Sequence, residues 1–185
     1  MRDAQRKLSI LTVALHWVVA LGMISLLSVG IFMAETETYF LYPIHKSMGI
    51  LLFVVILVRV VWRVVNGWPV AVDTRQHWEH TLARLVHWIL ILGTLLMPIS
   101  GMLMSGAGGR GIAVFGLELL AMNPDPDNAR AVIALSEPLA GLGHAVHEWL
   151  AYILIAAIIL HVAGGLKHHV IDKDGTLRRM LGKSI

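Results

Sequence analysis

The sequence predicts an all-α fold: a transmembrane four-helix bundle with a long outer (periplasmic) loop, in one integral-membrane domain over residues 1–185. Three observations carry this expectation. Four apolar segments each hold about 20 residues or more, enough to cross a hydrocarbon core ~30 Å thick at 1.5 Å per residue. Charged residues make up only 15% of the chain and hydrophobic ones 57%, and the mean hydropathy is +0.73. A soluble domain of this length rarely carries so few charges. Basic residues, finally, fall almost entirely on one side of the predicted membrane.

The first span covers roughly residues 8–33, LSILTVALHWVVALGMISLLSVGIFM. It is too long for a cleaved signal peptide and contains His16, so it reads as retained. The second covers roughly residues 44–65, with Arg59 and Arg63 near its end. The third, roughly residues 82–104, contains Pro98, which should kink it. The fourth, roughly residues 143–166, starts earlier if Ser136-Glu137-Pro138 is a helix start, with Ser as N-cap and Pro in the first turn. Backbone groups in lipid must be satisfied within their own segment, so all four should be helices.

Residues 105–143 form the long connection. It reads SGAGGRG, then the apolar IAVFGLELLA, the turn NPDPDN, and the apolar ARAVIALSEPLAG. So long and apolar a loop is expected to pack as a cap over the bundle end. GAGGRG is not a nucleotide fingerprint, because no strand precedes it and its glycine spacing is wrong.

Four spans put both termini on one side, together with Arg2, Arg6, Lys7, Arg59, Arg63, Arg75, Arg84, Lys167, Lys173, Arg178, Arg179 and Lys183. Lys46, Arg110 and Arg130 fall on the other. That bias predicts cytoplasmic termini in a bacterial inner membrane. It also accounts for the net charge of +3 without nucleic acid as a partner; the lipid bilayer suffices. The six tryptophans mostly fall near span ends, as an aromatic belt does. With no cysteine, the chain has no disulfide, thiolate metal site, iron–sulfur cluster or covalent haem attachment.

The chemistry must lie in the ten histidines. An ionisable residue inside a span points to function, and imidazole binds iron and haem. His147 and His161 are fourteen residues apart. At 100° per residue they come within about 40° of one face, roughly 21 Å apart along the axis. His45 opens the second span at the depth of His147, and His16 lies at the depth of His161. Two imidazole pairs at two depths suit two six-coordinate haems in a bundle core. A lone membrane histidine, by contrast, often only hydrogen-bonds to a neighbouring helix. His87 in the third span also lies near the inner surface, which leaves three candidates for two inner positions.

Other residues admit two readings each. Arg59 follows His45 by fourteen residues and shares its face at the inner depth. It suits a haem propionate or a snorkelling arginine. His168 lies seven beyond His161; with Trp17, Arg59 or His87 it would line an inner quinone pocket, or else His168 and His169 sit beside lipid headgroups. Ser100 and Gly101 let a helix or a porphyrin edge approach closely.

The order LHW (15–17), IHKSMG (44–49), LMPISGMLM (96–104) and HEW…LH (147–161), with FGLE in the loop and a closing DGTLRRM, resembles the prokaryotic cytochrome b561 family over nearly the whole chain. The resemblance implies a four-helix inner-membrane cytochrome with two b haems. Its axial ligands, carried over position by position, fall on His16, His45, His147 and His161. It further implies electron transfer from a periplasmic donor, superoxide in some relatives, to ubiquinone. Here the chain departs from what an anion donor needs: Glu35, Glu37, Glu118, Asp125, Asp127, Glu137 and Glu148 face only three basic residues on the outer side. The alternative is a membrane-anchor cytochrome b subunit relaying electrons for a periplasmic redox partner, a dehydrogenase or hydrogenase. A haem-free carrier with a histidine proton path is the third.

Overall fold

The computed structural model describes residues 7–67 and 77–184. Arg2, Arg6, Arg75 and Trp68, invoked above for orientation and the aromatic belt, lie outside the described residues. Four long helices follow one another: α1 (Ile10–Glu35), α2 (Leu41–Asn66), α3 (His77–Ala107) and α4 (Glu137–Val170). All four are long and apolar enough to cross a membrane. A short α5 (Thr176–Met180) closes the chain. Helices α1 and α5 meet, because the Trp17 indole donates to the Met180 carbonyl at 2.7 Å.

Helix ends follow local chemistry. Ser9 caps α1, its hydroxyl accepting from the Thr12 amide at 3.2 Å. Pro138 lies in the first turn of α4, where the missing N–H costs nothing. Ser136 is the N-cap residue, but its hydroxyl makes no cap bond; its amide donates to the Ala107 carbonyl instead, joining the two ends of the long connection. Pro98 lies inside α3 without ending it.

The connection holds structure that hydropathy did not reveal. It contains two antiparallel hairpins, β1 (Ile112–Val114) with β2 (Leu117–Leu120), and β3 (Pro124–Asp125) with β4 (Asn128–Val132). The apolar runs here are four or five residues long, too short for periodicity to separate strand from helix. The NPDPDN segment forms β3 and the tip of the second hairpin, with Pro126 and Asp127 as the turn residues.

α1 packs along α2 and α3 along α4, while α1 and α4 have few close backbone approaches. The protein interior is therefore two helix pairs with a looser seam between them. Where the pairs meet, Val19, Leu27, Leu52, Ile56, Met97 and Leu154 form one cluster. Leu154 is wholly buried and lies over Gly93, where an added Cβ would come 2.7 Å from its Cδ2. Leu154→Ala is expected to destabilise the bundle by about 2–5 kcal/mol, because the cavity cannot close against a helix backbone. Reversible unfolding in detergent reads this, with Leu160→Ala on the exposed face as the comparison.

Candidate functional site

The seam between the helix pairs is bridged at two levels by histidines. At the loop end, His45 on α2 faces His147 on α4, with ring centroids 6.3 Å apart and planes at 81°. Toward the termini, His16 on α1 faces His161 on α4 at 6.2 Å and 53°. The fourteen-residue interval puts both α4 imidazoles on the seam, as the helical period requires.

The two separations carry chemical information. Two imidazoles bound in trans to one metal have nitrogens about 2 Å from it. Adding about 1.1 Å from nitrogen to ring centroid on each side gives centroids about 6.2 Å apart. Both pairs stand at that distance. Among the described residues no group of three or more His, Asp or Glu side chains is placed to hold a metal ion. Each pair brings two imidazoles from facing helices to a separation that would suit one metal held between them.

Backbone geometry holds the loop-end pair. His147 Nδ1 donates to the Met97 carbonyl at 2.9 Å and lies 3.1 Å from Ser100 Oγ. Ser100 Oγ donates to the same carbonyl at 2.8 Å. With the proton fixed on Nδ1, Nε2 keeps its lone pair, the arrangement a metal-binding imidazole needs. Gly101 gives the ring room, since a Cβ there would lie 3.1 Å from His147 Cε1. Gly30 does the same for His45, at 3.3 Å. The close approach expected of Ser100 and Gly101 is thus toward His147, and Ser100 adds a hydrogen bond that spacing alone could not reveal. His45 Nδ1 is buried without a partner.

The cap grips the helix that carries His45. Lys46 Nζ donates to the Gly111 carbonyl at 3.2 Å. Buried Ser47 donates to the Pro43 carbonyl at 2.8 Å and accepts from the Phe115 amide at 2.9 Å. The three consecutive residues His45-Lys46-Ser47 therefore face the seam and the cap together. In the sequence, Lys46 and Ser47 carry only one signal of this role, polarity at the start of an apolar span.

Toward the termini, Arg59 Nη2 lies 3.4 Å from His16 Nδ1, a long contact. Trp17 stacks edge-on against His16 at 5.5 Å. His87 lies beside His161 at 5.2 Å and 89°, shorter than a trans pair across one metal. Its ring is on an exposed residue, and its Nδ1 is held by the Ala83 carbonyl on its own helix. His168 is placed apart from these rings' contacts: its Nδ1 lies 2.9 Å from Asp172 Oδ2 and 3.0 Å from Asp174 Oδ2. Lys167 bridges Glu79 and Asp172, both at 3.0 Å. The Trp17 N–H, expected to line a pocket with His168, is engaged by Met180.

The family described as prokaryotic cytochrome b561 matches residues 7–183. The chain belongs to that family. It is 33% identical over 98% of its length to the Escherichia coli K12 protein "Cytochrome b561 homolog 2", covering 95% of that protein. It is 29% identical over 96% of its length to the "Probable superoxide oxidase CybB" of Yersinia pestis, covering 97% of it. It is also 28% identical over 90% of its length to "Cytochrome b561 homolog 1" of E. coli K12, covering 92% of it. Membership makes this cytochrome b561 relative a haem b-binding, membrane-embedded electron-transfer protein.

Proposed function

We propose that the chain carries two b haems, one held by His45 and His147 and the other by His16 and His161, and moves electrons between a donor on the loop side and quinone at the termini side. The single observation that supports this most is the pair of centroid separations, 6.3 and 6.2 Å, at two levels of one seam. Haem held by these residues would supply a one-electron iron couple at each level. The protein's residues do the rest. Met97 and Ser100 hold His147 in the tautomer that presents Nε2. An imidazole bound through Nε2 keeps its proton on Nδ1, and a guanidinium does not face a donor. Arg59 then turns from His16 toward an anion such as a haem propionate. At the termini end, His87 offers an exposed imidazole to quinone. The positive-inside bias supports cytoplasmic termini in a bacterial inner membrane.

Superoxide is the proposed donor, on the likeness to a protein named as a probable superoxide oxidase. Two superoxide anions would be oxidised to dioxygen, while ubiquinone takes two electrons and two cytoplasmic protons. A specific observation favours a second reading, the relay for a docked protein donor: seven carboxylates face three basic side chains on the loop side.

Superoxide generated outside proteoliposomes separates the two readings. Under the first, the haem α-band is reduced without any other protein, superoxide dismutase abolishes the reduction, and added salt speeds it. That sign follows because screening relieves repulsion between an anion and an acidic surface. No reduction above the dismutase control, with reduction restored by a protein donor, establishes the relay.

A further inference from the structure

The first hairpin of the cap leaves its outer strand uncovered. Its base is fixed near the end of α3, where Ser105 Oγ donates to the Gly111 carbonyl at 2.6 Å. Its tip is fixed by the bond from the Phe115 amide to Ser47. Ser47 stands six residues into α2, about 9 Å below the first helical residue at 1.5 Å per residue. The hairpin therefore has its tip beside the second turn of α2 rather than beyond the helix start. Its tip is deeper than Tyr39 and Phe40, the exposed aromatics at the start of α2. Strand β1 packs on α2, while every residue of β2 is exposed.

The tip itself is unusual. Val114 pairs with Leu117, so Phe115 and Gly116 are the two turn residues, with φ of 47° and 91°. Both positive values mark a type I′ turn, which favours Asn, Asp or Gly at its first position. A bulky aromatic there is disfavoured by its backbone. Phe115, Leu117 and Leu119 are 62%, 67% and 59% exposed, beside the stretch of α2 that also exposes Ile44 and Met48.

We propose that the β1–β2 hairpin is an interfacial anchor that inserts Phe115, Leu117 and Leu119 into the lipid leaflet on the His45–His147 side. Lipid is favoured over water because these exposed apolar side chains lie level with Ser47, within a helix long and apolar enough to cross a membrane. The open backbone edge of β2 keeps the strand at the boundary between headgroups and acyl chains rather than in the hydrocarbon centre. By docking through Ser47 and Lys46, the anchor fixes the cap beside His45 relative to the membrane surface.

Because the chain has no cysteine, one introduced thiol is a unique probe. A nitroxide on Leu119→Cys, in full-length protein reconstituted into phosphatidylcholine–phosphatidylglycerol liposomes, is read by electron paramagnetic resonance. The expected result is several-fold greater relaxation by oxygen, which concentrates in lipid, than by a water-soluble nickel chelate. The same label on Asp127→Cys, in the second hairpin, should show the reverse. Relaxation of the Leu119 label mainly by the chelate overturns the proposal in favour of a solvated loop. Protection from both reagents, with dipolar broadening between labels, overturns it in favour of contact with a second copy. Gel filtration of each labelled variant confirms that the fold is retained.

Discussion

His147→Ala is expected to leave about one haem per polypeptide in place of two, because an iron that loses one of two axial imidazoles in a bis-histidine site is weakly held. His45→Ala should give the same count and remove the same spectral component. His16→Ala and His161→Ala should remove the other component, so each pair behaves as a unit. His87→Ala should retain both haems, since its ring stands 5.2 Å from His161 rather than at the trans separation. A pyridine haemochrome assay gives the stoichiometry, and low-temperature spectra of the reduced α-band give the component lost. Transfer across the membrane should cease in all four ligand variants. The proposal does not survive if purified parent protein holds one haem or none. Loss of a haem in His87→Ala with retention in His16→Ala would reassign the pair at the termini end.

Gly143→Val is expected to disable the α3–α4 pair, whereas Gly141→Val two residues earlier should be almost silent. A Cβ at Gly143 would lie 2.6 Å from the Met104 amide nitrogen, 2.9 Å from Met104 Cα and 3.0 Å from the Ser100 carbonyl oxygen. All three atoms belong to the α3 backbone, which cannot rotate aside as a side chain does. At Gly141 a Cβ meets nothing within 4 Å. His147 lies four residues beyond Gly143 on the same helix face, so parting α3 from α4 also breaks the bonds to Met97 and Ser100. The expected result is loss of the loop-end haem and a fall in stability of about 3 kcal/mol, the upper end of ordinary overpacking costs. Haem stoichiometry and thermal unfolding in detergent measure both. Equal behaviour of the two valine variants would show that close backbone contact is not what joins these helices.

Hydropathy was sufficient for the number of spans, because lipid leaves the backbone one way to satisfy itself within a segment. Helical period was sufficient to put His147 and His161 on one face, because angular position along a single helix is fixed by counting. Neither could choose His16 or His87 as the neighbour of His161. That choice depends on how α1 and α3 are rotated about their own axes, and in a membrane both the packed and the lipid-facing sides are apolar. Exposed Val58 and buried Ile56 look alike in sequence. The quinone pocket expected around His168 shows the same difficulty: an interval of seven residues places it below His161, but Asp172 and Asp174 fold back from beyond the helix end to meet it.

What the sequence by itself determined was the solvent of the fold, the four helices, and the depths at which imidazoles occur. These follow from composition and from the repeat of one helix. Only the tertiary structure decided which histidines face each other at 6.2 and 6.3 Å, that the Met97 carbonyl and Ser100 orient His147, and that the cap folds into hairpins gripping Ser47. Those are relations between elements distant in the chain. They are set by how two surfaces fit, as where Gly143 lets α4 close on the backbone of α3, a property that no single segment records.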